Sequence, residues 1–430
     1  MIDLFHEHSI AKQFDPQVWA RMLTQVRSTK FEYARIHKIK LFGSKKSANR
    51  CDLKSLFAIC LWDGSLGNAE FMNLFQCMIH NCGRGSEIAI SQFDQLSMKT
   101  IVPEDGLPEY DTLQQHLLRI KTEGMFSDHL IRIYKYIKLI KCFCVYIKFA
   151  GEQNLLHFVH KDDIFNDYMF TMAYYLALQP DGSSEKIFPT FEKFCLDVSE
   201  KSDSKMAGAF RRKWEIIYEM AKKYCEDQDA LELEESINEF LLDGIASTLG
   251  SHGAKKFGIQ KMGDMMSLTI QDISMRGGWA LKSFNTFFDY WVGSYAASER
   301  TGKILAGWTT RSDNGYHGGH PPSMNDIETM KDSVPFFVQS LFGHHLHVSE
   351  EMQLFFCANL LRHWPQFRRV VESEPRGAFV GNNFTKHPFV HQVEIARAAA
   401  HISPSDFEKW VEEINKGFIQ NNINCIPLKV

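Results

Sequence analysis

Residues 131–148, IRIYKYIKLIKCFCVYIK, carry five bases and no acid. The bases are Arg132, Lys135, Lys138, Lys141 and Lys148. Leu130, Ile133, Ile137, Ile140 and Cys144 recur every three or four positions, which predicts a helix over 127–149 with one buried face. Tyr134, Tyr136, Phe143 and Tyr146 are interleaved with the bases. The chain as a whole has a net charge of -4. A concentration of bases and rings in an acidic chain suggests a built anion groove, and the anion most often met this way is a nucleic-acid backbone. The solvated outer face of an ordinary core helix gives the same pattern.

The same helical period recurs on both sides of this stretch. It predicts helices over 15–28, 53–63, 68–82, 111–122, 163–178, 187–200, 205–226, 229–249, 279–296, 326–342, 350–363, 391–401 and 406–416. Strands are expected only at 32–42, which nearly alternates, and at 86–90. The fold class is therefore mainly α. The clearest interior break is 244–258, GIASTLGSHGAKKFG, small and Gly-rich. Dividing the chain there gives a basic N-terminal arm or hairpin region (1–54), an N-terminal helical lobe (55–250) and a C-terminal helical lobe (251–430). The C-terminal lobe holds a long loop, 309–323, whose polar, Gly- and Pro-rich composition is unusual inside a compact lobe.

Charge runs in blocks along this frame. Ten bases face two acids between Arg21 and Lys54, eight acids lie between Glu226 and Asp243, and bases dominate again from Lys255 to Arg311. Alternating blocks can surround a cleft with one sign of charge, or suit head-to-tail contacts between copies. The ten cysteines form no CxxC and no regular framework, as expected of reduced thiols. The N-terminal residues lack the apolar run of a signal peptide, and no uncharged apolar stretch is long enough to span a membrane, so no membrane insertion is expected.

Catalytic and cofactor motifs are absent. No P-loop, GxGxxG, GxSxG or HExxH occurs. Cys77, His80 and Cys82 form C-x2-H-x-C without zinc spacing, and on a helix the two cysteines point about 140° apart. His344, His345 and His347 lie in one turn, with His317 and His320 upstream, and surface or capping roles account for them. The expectation is a protein without catalysis, cofactor or metal.

A second segment, 274–311, reads SMRGGWALKSFNTFFDYWVGSYAASERTGKILAGWTTR. A Gly277-Gly278 break leads into an aromatic helix, then small residues, then Arg300 and Lys303. Three positions apart, those two bases share a helix face. Lys282, this SFNTFF cluster, the small residues and the ER-x-x-K end together resemble the C-terminal lobe of rhabdovirus nucleoproteins, those of plant cytorhabdoviruses most of all. A second stretch, 168–194, resembles their helix with paired tyrosines, polar link and aromatic helix. The two segments occur in the family's order. Glu299 and Thr301 depart from its more basic pattern.

The resemblance implies single-stranded RNA held in a groove between two helical lobes. Phosphates would be gripped by Arg132, Lys135, Lys138 and Lys141 from the N-terminal lobe and by Lys282, Arg300 and Lys303 from the C-terminal lobe. It also implies a linear or ring-shaped homo-oligomer locked by exchange of the arm and the 309–323 loop. Viral phosphoprotein and polymerase would be partners, and virion and host cytoplasm the location. Two alternatives fit the same size and composition: an α-helical capsid protein of a small double-stranded RNA virus, and a helical enzyme with an unrecognised pocket.

Overall fold

The computed structural model describes residues 48–102, 109–120, 149–180, 182–195, 200–229, 240, 245–263, 268–278, 295–310, 316–317, 321–374 and 384–424. By its contacts the chain divides into Met1–Lys45 and Lys46–Val430. The first unit, with the expected helix 15–28 and strand 32–42, lies outside the described residues. All of the described residues belong to the second unit.

The architecture is mainly helical. Several helices begin where a side chain satisfies their free N–H groups. Helix α1 (Arg50–Asp63) opens on a capping box in which Asn49 and Asp52 bond each other's backbone N–H at 2.8 Å. Ser65 caps α2 (Leu66–Asn81). A short α3 (Gly85–Ala89) comes next, where the sequence suggested a strand at 86–90; its capping box, closed by Glu87 onto the Arg84 N–H, favours the helical turn.

Strands β1 (Leu96–Ile101), β2 (Tyr110–Ile120) and β3 (Phe149–His157) form an antiparallel sheet in that order. Leu96 lies opposite Gln115, Leu113 opposite His157 and Ile120 opposite Phe149. The expected helix 111–122 is thus a strand. Its leucines fit a helical period, but Leu113, Gln115 and Leu117 also alternate, and those three are the residues buried on one face. Pairing on both sides, with segments far apart in the chain, favours the extended form. Phe149, expected to end a helix, instead opens β3.

Helix α4 (Tyr168–Leu178) is buried on nearly all sides and capped by Asp167. A single turn α5 (Pro189–Glu192) stands where 187–200 was expected to be helical, and α6 (Glu200–Asp229) is a 30-residue helix covering the predicted 205–226. Residues 245–249, the described end of the helix expected over 229–249, are irregular. Helix α7 (Ser251–Gly263) runs through the Gly-rich stretch expected as a break. It needs Gly258 for packing: a Cβ there would sit 2.4 Å from the Ile79 carbonyl of α2. Then come α8 (Ile270–Arg276), α9 (Tyr295–Leu305), and a two-residue hairpin of β4 (Thr309–Thr310) and β5 (Tyr316–His317) inside the expected loop. Helices α10 (Val334–Phe342), α11 (Glu350–Glu372), α12 (Pro388–Ala399) and α13 (Pro404–Asn424) complete the order.

One buried apolar cluster runs from Leu53 on α1 through α2, α4 and α6 to α11, α12 and Trp410 on α13. It therefore joins described residues on both sides of position 250. Polar stitches cross the same division: Trp62 Nε1 donates to the Val370 carbonyl at 2.6 Å, and His387 Nε2 donates to the Leu61 carbonyl. A smaller cluster of Ile101, Tyr110, Leu156, Phe158, Ala306 and Trp308 lies on the other face of the sheet. Among the described residues no helix is long and apolar enough to cross a membrane.

Candidate nucleic-acid interface

Five of the seven bases singled out in the sequence, Arg132, Lys135, Lys138, Lys141 and Lys282, lie outside the described residues. Residues 121–148 connect β2 to β3, and the strands pair up to Ile120 opposite Phe149.

Arg300 and Lys303 are both on α9, on one face as expected, but their surroundings differ. Helix α9 packs closely on β3: a Cβ at Gly302 would lie 2.4 Å from the Leu156 carbonyl, and Ser298 Oγ accepts from the Leu156 N–H at 2.9 Å. Arg300 Nη2 donates to Asp272 Oδ1 at 2.5 Å. Asp272 is buried and doubles as the third residue of the α8 capping box, bonded by Thr269. The Arg300 side chain remains 33% exposed above it.

Lys303 is turned inward. Its ammonium pairs with Glu299 one helical turn back and lies 5.6–5.8 Å from the ring centroids of Tyr110, Phe158 and Trp308. Such a position satisfies the charge through an acid and three ring faces. Lys303 in this state pins α9 to the sheet, with only 11% of its side chain exposed.

Three further bases are paired with acids. Arg368 bridges Glu372 and Glu408, Arg397 pairs with Glu394, and Lys409 with Asp406. A groove between α11 and α13, lined by Trp364, Pro365, Arg368, Arg369 and Glu408, is widely open to solvent.

The histidine and cysteine motifs serve the fold. Cys77 Sγ contacts the Tyr168 hydroxyl at 3.4 Å, His80 Nε2 the Asn166 carbonyl at 3.1 Å, and Cys82 Sγ the Ile79 carbonyl at 3.4 Å, so the three diverge. His344 and His345 each meet a carbonyl at the end of α4 at 2.8 Å, Gln179 and Leu176, and His347 approaches Ser183. Donors at a helix C-terminus satisfy its free carbonyls. Among the described residues no three His, Cys, Asp or Glu gather as metal ligands. Cys51, Cys60, Cys77, Cys82, Cys195 and Cys357 are free thiols, and burial pushes the Cys60 and Cys357 thiols well up.

Two polar centres escaped the sequence reading. Asp167 accepts five hydrogen bonds, from the backbone of Met169, Phe170 and His160 and from Asn359 and His363. Burial alone would raise its carboxyl, but the His363 bond and charge and the Phe170 N–H hold it below the usual range. Arg276 is 1% exposed, and its guanidinium donates to the carbonyls of His80 at 2.7 Å and Leu156 at 3.1 Å. An Asp before an apolar helix is a legible cap signal; nothing local marks Arg276 as buried.

Comparison of the chain with protein-family models, with curated proteins and with solved structures finds no match.

Proposed function

We propose that this chain is a nucleoprotein that encapsidates single-stranded RNA without catalysis, by sequence-independent phosphate binding and base stacking. One observation carries the reading. The connection between β2 and β3 holds six bases, Lys121, Arg132, Lys135, Lys138, Lys141 and Lys148, against Glu123 and Asp128, with rings interleaved. Bases supply affinity for any phosphate backbone, and rings stack any base.

In this reading the RNA groove lies beside the β2–β3 connection, between the helical lobes 55–250 and 251–430. Residues 1–54 act as an arm and the 309–323 loop exchanges between copies, so the chain assembles as a linear or ring-shaped homo-oligomer. A viral phosphoprotein and polymerase are its partners, in virion and host cytoplasm.

The test is purification without nuclease, followed by ultraviolet absorbance and negative-stain imaging. A nucleic-acid absorbance ratio with rings or coils supports the proposal. Closed isometric shells move the assignment to a capsid protein, and an RNA-free monomer overturns it. Replacing Arg132, Lys135, Lys138 and Lys141 together by Gln should abolish RNA retention with the fold intact. With about 0.7 counterions released per single-strand phosphate, partial binding would show a log K–log salt slope smaller by about 3.

A further inference from the structure

Six imidazoles are buried among the described residues, and in four of them, His80, His157, His160 and His387, the hydrogen bonds and surroundings favour the neutral ring. His157 Nδ1 faces Arg276 Nη2 at 3.3 Å. Since a guanidinium can only donate, this nitrogen must accept and His157 must be neutral. His160 Nδ1 accepts from the backbone N–H of Asp162 at 3.2 Å and of Asp163 at 2.9 Å. His387 Nδ1 accepts from the Phe389 N–H at 3.2 Å as the cap of α12, while Nε2 donates to Leu61. His80 Nε2 donates to Asn166, and its Nδ1 is fully enclosed without a partner.

The charged and titratable neighbours reinforce this. His157 faces Arg276, His80 and the Tyr168 ring. His80 faces Arg276, Lys261, Asp167 and Tyr168. His160 faces Lys261, Asp167, His80 and His363, and His387 faces Asp63 and the Tyr174 ring. For the first three, cations of α7 and α8 oppose a further positive charge. His363 is the exception: its two nitrogens meet acceptors, Asp167 Oδ2 and Gln366 Oε1. Gln366 is oriented by donating to the Asp162 carbonyl and accepting from the Ile164 N–H.

We propose that mild acid dismantles this fold through His80, His157, His160 and His387, each held neutral by its surroundings. The four positions join α2, β3, α4, α8, α1 and α12, so one condition loosens the two sides of the core together. Burial lowers all four imidazoles, His80 to about 3 and His387 to about 4, with nearby cations adding to the effect at the first three. In the unfolded chain an imidazole titrates near 6.5. Below that pH the unfolded state binds protons that the folded state refuses, so stability is fully present above about 6.5 and falls as pH drops toward 4. Glu70, whose carboxyl burial raises, acts in the opposite sense, one group against four.

The test is urea unfolding of the full chain from pH 7.5 to 5. Each neutral imidazole makes the unfolding constant rise about tenfold per pH unit once the unfolded form is protonated, and four approach 10⁴-fold. An uptake of three or more protons between pH 6 and 5 supports the proposal; two or fewer overturns it. His157→Gln, whose carbonyl can still accept from Arg276, and His387→Asn, a good helix cap, should each remove one proton from the uptake. Unchanged uptake in both overturns the assignment, and His387→Asn remains decisive should His157→Gln not fold.

Discussion

The α4–α11 junction and the outer face of α9 both rest on an aspartate hydrogen-bonded to a nitrogen side chain, yet the pairs do opposite things. Asp167 and His363 are 0% exposed, with every oxygen and nitrogen occupied. Arg300 lies over Asp272 with a third of its side chain in water. At the junction, losing one partner strands a polar group where water cannot reach it, so the pair has to be complete. On α9, water can replace the missing partner of Arg300. Lys303, three residues along, sits between these extremes, since an acid and three rings replace its hydration.

That difference can be broken most severely at Asp167. Asp167→Ala removes the α4 cap and leaves the buried His363, Asn359 and three backbone N–H groups without their acceptor, and should cost about 3–5 kcal/mol in urea unfolding. A loss under 1 kcal/mol would mean that the junction tolerates water and resembles the α9 surface after all. Arg276→Met, which frees the His80 and Leu156 carbonyls from their donor, should cost about 3 kcal/mol, as expected of stranded buried acceptors. Hydrogen exchange should then quicken in α8 and α9 before the α4–α11 core; uniform acceleration would contradict a local stitch.

Lys303→Met sharpens the middle of the comparison. It keeps the packing and removes the charge from the ring cage, for an expected loss of about 1–2 kcal/mol. RNA retention should be unaffected, and a lost RNA complex with unchanged stability would return Lys303 to the interface. The smallest effect is expected at Arg368→Ala, an exposed pair with Glu372 and Glu408, at about 0.5 kcal/mol or less and fading in salt. A larger value would show the groove beside Trp364 to be structurally important.

Much of the helical frame was legible because its causes are local. Asn49, Ser65, Asp167 and Ser349 each accept from a backbone N–H a few residues ahead, and the apolar period beyond them needs no distant partner. The shared face of Arg300 and Lys303 was legible for the same reason. The sheet was not. Residues 111–120 satisfy a helical period and an alternating one at once, and the choice between them rests on β1 and on β3, whose His157 lies opposite Leu113. Likewise, the break expected at 244–258 took glycine for flexibility, whereas Gly258 provides close contact with α2.

Composition and spacing alone therefore established the mainly helical class and the concentration of bases in 131–148. These arise from interactions reaching four or five residues along the chain. Tertiary structure decided which bases are available and which groups can be charged. Lys303 is withdrawn by Tyr110 and Phe158, far away in sequence, Arg276 is buried by carbonyls from α2 and β3, and four histidines are neutral because of what folds over them. Hydration and charge depend on everything within a few ångströms, and that neighbourhood exists only once the chain is folded.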